Sequence, residues 1–336
     1  MKKLGVLAAS IAAAVGINSA ANAECGEVLI GQPNWLTAEL VAAVDALVLE
    51  QGYGCSVSIA PTATTNTIAF IQGADGPAII GEVWTNGLDV AALESAQANE
   101  ELDLLQSPFS PVGEYWFVSE AFARDYPELD TVAEVIARPD LFPSATEEGK
   151  GAFFGCPVGV GWACEGNNLS LFHHYGLDEA GWVHENPASV EGQAALIVDS
   201  KVSDSYWFGY YWVPTAVSAQ NGLVALDWGV DFAGSEFWDS CVNEGKWDAP
   251  GCERTPTAWV PSVVNSVISP ETRELDAFGY ISSRQIPSSV LAEVEGMMAD
   301  QQMSGSDAAV VFMRDFQDVW TPWVDADAAE AILSSL

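Results

Sequence analysis

Apolar and polar positions fall in short blocks along this chain, and their period switches repeatedly between two and three to four. Glu27–Gly31 is a short apolar run that predicts a strand. Leu36, Leu40, Val41, Val44, Leu47 and Val48 then recur at helical spacing, with Asn34 placed to cap that helix and Gly52 and Gly54 to end it. Cys55–Ala60 predicts a second strand, Thr64–Gln72 a helix, Ala78–Val83 a third strand running into Trp84, and Leu88–Gln97 a further helix. Strands alternating with helices at this interval imply a mostly parallel sheet. Val112–Val118 reads as a strand leaving this unit, with Ser119 placed to cap the helix after it. A second alternating region spans 119–257 and includes a helix near Ser189–Asp199 and the aromatic strand Tyr206–Val213. Trp259–Ile268 reads as a strand returning to the first unit, and from Pro270 the pattern is mainly helical, clearest over Ser288–Gln302 and Ser306–Val319.

The expected architecture is α/β and two-lobed, each lobe a mostly parallel sheet flanked by helices. Residues 24–115 and 260–336 form a discontinuous first lobe and 116–259 the second, with two hinge crossings near 116 and 260. A chain of this length exceeds one hydrophobic core, which points the same way. Ligands of α/β lobes sit at the C-terminal ends of the strands, so the cleft between the lobes is the expected site.

Residues 1–23 read as a secretory signal: Lys2 and Lys3, an apolar run from Leu4 to Ile17, then the small-residue site Ala21-Asn22-Ala23. Asn22-Ala23-Glu24 before Cys25 is a poor lipoprotein signal, so a soluble exported product is expected. Six cysteines in an exported chain fall as three local pairs, and proximity alone suggests Cys25–Cys55, Cys156–Cys164 and Cys241–Cys252 among the roughly 15 connectivities open to them. The formal net charge is −36, and loss of Lys2 and Lys3 takes it to −38. That excludes nucleic acid as a partner and argues against binding anionic lipid. The acids are spread along the chain, as on a solvated surface suited to high salt. A monomer is expected.

Tryptophan is abundant, thirteen in all, and placement carries more than the number. Trp35 follows the first predicted strand, Trp84 the third, Trp162 lies in a Gly-rich turn and Trp212 is near the end of the aromatic strand. All four would converge on the cleft. Indole faces attract a quaternary ammonium, by about 0.5–2 kcal/mol each once desolvated. Around Trp162, in Gly155–Leu169, Gly159 and Gly161 permit a sharp turn, and the amides of Ala163, Cys164 and Glu165 fall at a helix start that favours an anion. Trp182, Trp228, Trp238, Trp247, Trp320 and Trp323 read as core.

Gly161-Trp162-Ala163-Cys164-Glu165-Gly166 with Cys156 upstream, Tyr210-Tyr211-Trp212-Val213-Pro214-Thr215, and the return strand through Val263-Val264-Asn265 resemble the periplasmic glycine betaine-binding proteins of ABC importers, over essentially the whole mature chain. The resemblance implies a type II-like periplasmic binding protein fold, that Trp84, Trp162 and Trp212 box a trimethylammonium group, that backbone amides of Ala163 and Cys164 hold the ligand carboxylate beside the Cys156–Cys164 bridge, and that a permease in the inner membrane is the partner. Trp35, Tyr211 and Asn86 complete the candidate ligand set. One departure stands out: relatives place a carboxylate-binding His four residues after the first box Trp, where this chain has Leu88. Thr85 or Asn86 are the substitute donors, and dimethylsulfoniopropionate, carnitine and proline betaine stay open as ligands. Choline sites of the wider family add a carboxylate near the cation, for which Glu82, Asp89 and Glu165 are candidates.

Enzyme readings find little. The chain has no Gly-x-Ser-x-Gly elbow, no phosphate-binding Gly loop before Lys and no His-Glu-x-x-His motif. His173 and His174 are adjacent on one helix and point to different faces, which makes a poor metal site, and His184 reads as a surface residue. No cofactor or metal is expected. The alternatives are a choline or carnitine receptor, a periplasmic enzyme on methylated amines, and a carbohydrate-binding module whose rings stack on sugars.

Overall fold

The computed structural model describes residues 25–336, and the secretory-signal segment lies outside them. Two five-stranded sheets organise the chain. The first has the order β2-β1-β3-β11-β4, with β1 Glu27–Gln32, β2 Ser56–Pro61, β3 Ala78–Trp84, β4 Asp103–Leu105 and β11 Val264–Ile268. The second has the order β10-β6-β9-β7-β8, with β6 Gly113–Val118, β7 Gly151–Phe154, β8 Trp182–Glu185, β9 Phe208–Val213 and β10 Val224–Ala225. A small parallel pair, β5 Phe109–Ser110 with β12 Ile286–Pro287, lies beside the crossing between them.

Both sheets are mixed rather than mostly parallel, and the reason is topological. β1, β2 and β3 run parallel toward the cleft, but β11 arrives from the other lobe and must start at the cleft and run away from it. It therefore pairs antiparallel with β3, Val264 opposite Trp84, and with β4. β6 enters the second lobe the same way and pairs antiparallel with β9, while β7, β8 and β9 are parallel. The C-terminal ends of β3, β7 and β9 thus meet at one place. Every residue of β3 is buried, because helices or strands cover it on all sides.

Two predicted caps do other work. The helix Leu36–Leu47 starts at Trp35 without a side-chain cap, since the Asn34 amide oxygen is taken by the Trp162 indole 2.8 Å away. Ser119 does not cap Glu120–Asp125; its hydroxyl donates to the Ser205 carbonyl and accepts from the Trp207 amide, pinning the strand edge. Asp89 and Ser189 do cap Val90–Ala98 and Val190–Val202. The returning strand is shorter than its pattern, because Trp259 is packed among Tyr210, Trp228 and Trp238 before the strand begins. All three disulfides pair as proximity suggests: Cys25–Cys55, Cys156–Cys164 and Cys241–Cys252.

Candidate functional site

Trp35, Trp84, Trp162 and Trp212 line one cavity between the sheets, enclosing about 440 Å³ with its mouth included. Each ring is almost wholly withdrawn from solvent, 8–9% exposed. Trp162 stands perpendicular to two others, 5.8 Å from Trp35 and 5.1 Å from Trp212, both at 86°. Walls at right angles make a corner into which a compact cation can fit and meet several π faces.

Each ring is held from behind. The indole N–H groups of Trp35 and Trp84 donate to the same oxygen of Glu82, at 2.7 and 2.9 Å. Trp162 is tied across the cleft to Asn34, and Trp212 lies stacked on Tyr211 at 4.3 Å. Tyr211 itself is outside the cavity lining. Alternation along β9 puts Tyr210 and Trp212 on the cleft side and Tyr211 behind them.

The Trp162 turn uses glycine where φ is positive, +74° at Gly159 and +78° at Gly161. The Cys156–Cys164 bridge closes the loop, and the helix Cys164–His174 then starts at Ala163 with no side-chain cap. Ala163 and Cys164 line the cavity, so an uncapped helix start adjoins the aromatic corner. Glu165 turns away and accepts the Gly159 amide at 3.0 Å. Asn167 was not singled out in the sequence. It lines the cavity, is 1% exposed, and among the described residues its side-chain oxygen has no partner. Helical side chains lean toward the N-terminus, which carries Asn167 over the uncapped turn.

A second residue missed in the sequence is Glu114, on the cavity wall at the first crossing. Its carboxylate accepts from Asn86 of the first lobe at 2.7 Å, from Tyr210 of the second at 2.8 Å and from Ser262 of the returning chain at 3.3 Å. Burial is the main influence on its carboxyl and raises its pKa, against the pull of these donors. Asn86 is thereby committed to Glu114 and, through its oxygen, to the Val263 amide. Thr85 faces Asn265 and Val263, and Leu88 is buried in the first lobe's second apolar cluster. Asp89 is occupied as a helix cap.

The lobes are closed on each other here. The Thr65 hydroxyl donates to the Gly161 carbonyl at 3.4 Å, and a Cβ on Gly87 would lie 2.8 Å from that of Ala163. Glu295, from the helix Ser288–Gln301, accepts the Ala216 amide of the second lobe at 2.6 Å. Burial pushes its carboxyl up to about 8.

The histidines are structural. His173 stacks on Trp247 at 3.7 Å, and His174 is bonded to the Cys241 carbonyl and the Thr255 amide. His184, expected at the surface, is wedged between Phe153 and Phe172, and desolvation pushes it down to about 4. Among the described residues no group of three His, Cys, Asp or Glu is arranged to hold a metal ion, and no helix is long and apolar enough to cross a membrane.

Solved structures share this fold at low identity. A choline-binding protein of an ABC transporter, in complex with choline, is 15% identical with a TM-score of 0.65, covering 93% of this chain and 98% of its own. The glycine/betaine/L-proline-binding protein from Borrelia burgdorferi is 13% identical with a TM-score of 0.63, covering 91% and 99%. The lactococcal protein in its closed form with glycine betaine is 13% identical with a TM-score of 0.60, covering 89% and 100%. Among curated proteins none matches the sequence significantly. The family model for the substrate binding domain of ABC-type glycine betaine transport systems matches residues 26–315. The chain therefore belongs to that family of ABC-transporter substrate-binding proteins.

Proposed function

We propose that this protein captures a quaternary-ammonium zwitterion, glycine betaine first among them, and hands it to an inner-membrane permease for uptake as an osmoprotectant. The observation that carries the reading is the perpendicular tryptophan corner directly beside an uncapped helix start. The trimethylammonium group sits against Trp84, Trp162 and Trp212, with Trp35 completing the wall. The carboxylate reaches the Ala163 and Cys164 amides, with Asn167 as the side-chain donor in place of the family's His. A permanent cation needs no hydrogen bonds, so an aromatic wall accepts it and rejects ions that do need them. The protein works as an exported monomer, its two lobes divided near 116 and 260, and closure around the ligand presents the form the permease accepts. No covalent step is involved.

A choline reading has one observation in its favour. Glu114 puts a buried carboxylate on the same wall, a charge that suits a ligand without a carboxylate of its own. Equilibrium dialysis against glycine betaine, choline and carnitine separates the two, together with Asn167→Leu. Under the betaine reading the substitution weakens glycine betaine binding severalfold and leaves choline alone. Preference for choline in the unaltered protein, with no effect of Asn167→Leu on either ligand, contradicts it.

A further inference from the structure

Glu82 is 1% exposed, and one of its oxygens accepts both indole N–H groups of the first lobe's cavity wall. Among the described residues its other oxygen has no partner and no basic side chain pairs with it. We propose that Glu82 is the positioning residue of the cation end: one carboxylate turns the faces of Trp35 and Trp84 to the cavity and serves as the buried counter-charge that the bound cation completes. The inference rests on the ligand reading above.

The geometry follows from the strand. Glu82 precedes Trp84 by two residues on β3, so both side chains leave the same face, and Trp35 comes in from the helix start above. An indole whose N–H is bound to an anion has its pyrrole edge fixed, leaving the ring face free for the ligand. A buried carboxylate with no cation of its own is costly, and a cation delivered by the ligand offsets that cost only in the complex.

The groups facing Glu82 do not supply the missing charge. Trp35 and Thr37 come from the helix start and Trp84 from its own strand. Glu295, on Ser288–Gln301, interacts with it unfavourably through space. The Asp45–Arg284 pair lies beside the neighbouring Gly81, but that guanidinium is already bound to Asp45. Burial pushes the Glu82 carboxyl up to about 7. Near neutrality, part of the empty protein therefore holds it as the acid. A cation in the cavity favours the anion, so binding releases a proton and affinity rises with pH.

The test is a titration with choline and glycine betaine, neither of which titrates near neutrality, at about pH 6 and about pH 8. Binding lowers the Glu82 carboxyl from its ligand-free value, and the complex is expected to be severalfold tighter at the higher pH. Glu82→Gln keeps an acceptor for the indoles; it is expected to bind more weakly and with a flat pH profile. Glu295→Gln and Glu114→Gln keep the slope. A flat wild-type profile, or a Glu82→Gln variant with wild-type affinity and slope, overturns the inference while leaving the ligand reading in place. If Glu82→Gln does not fold, a slope surviving both control substitutions supports the inference, and a slope abolished by either control overturns it. Folded wild-type protein that binds neither ligand removes the ligand reading, and this one with it.

Discussion

Two carboxylates of the first lobe are fully buried within a few residues of each other in space, and they are treated in opposite ways. Asp45 sits in a complete network: the Arg284 guanidinium donates to it at 2.7 Å and the Tyr280 hydroxyl at 2.6 Å. Among the described residues Glu82 faces neutral groups alone, the indole N–H groups of Trp35 and Trp84 and the side chain of Thr37. In both, burial is the largest influence and raises the carboxyl, but only Asp45 has a positive charge working against it. The difference separates a structural acid from a functional one. A core acid that holds helices together is matched inside the protein, whereas the acid behind the ligand wall is left one charge short.

The largest expected effect breaks the matched pair. Arg284→Leu leaves Asp45 buried without its cation and is expected to cost about 3–5 kcal/mol in urea unfolding. A loss below about 1 kcal/mol would mean that Asp45 is not the structural partner described. Next, Trp162→Ala removes the ring that makes the corner and should weaken betaine binding more than tenfold, about 1.4 kcal/mol or more, with the circular dichroism spectrum unchanged. Unaltered affinity would take Trp162 out of the site.

Closure gives a smaller effect. Gly87 has no room for a side chain against Ala163, so Gly87→Val should prop the lobes apart and lower affinity severalfold without loss of thermal stability. Equal affinity would show that the bound form does not need this contact. The smallest effect is on pH. Glu82 and Glu295, raised to about 7 and about 8, hold protons in the folded state that the unfolded chain releases near the ordinary Glu range. Stability of the ligand-free protein should therefore fall as pH rises from about 4.5 to about 8. Glu295→Gln should make that fall in Tm shallower; an identical slope would remove Glu295 from the account.

What the sequence disclosed, and what it withheld, follows the same division. That Trp84, Trp162 and Trp212 meet at one cavity was legible because strand ends and a Gly-rich turn fix where such side chains go. The sequence reading puts Tyr211 in the ligand set where the cavity has Tyr210, although a period of two from Trp212 already marks Tyr210 as the residue on its side of the strand. Asn34 has the right residue type for a cap, and only the opposite lobe shows that its oxygen is used by Trp162. Glu114 and Asn167 carry no local signal, and Glu82 is legible only as a candidate carboxylate near the cation and a strand neighbour of Trp84. Their roles depend on partners 28 to 148 positions away for Glu114, 47 for the Glu82–Trp35 bond, and on the absence, among the described residues, of any partner for the Asn167 oxygen. The mixed sheets were missed for a related reason: the direction of β11 is set by the lobe it comes from.

The central claim is that a tryptophan corner beside a helix start binds a quaternary-ammonium zwitterion. Calorimetric titration of the exported chain with glycine betaine, with intrinsic tryptophan fluorescence followed in parallel, tests it most directly. Saturable one-to-one binding that changes the fluorescence at the same concentrations, and that persists in high salt because the cage is buried, is the predicted result. No heat and no fluorescence change with glycine betaine, choline or dimethylsulfoniopropionate would contradict it and leave only the fold.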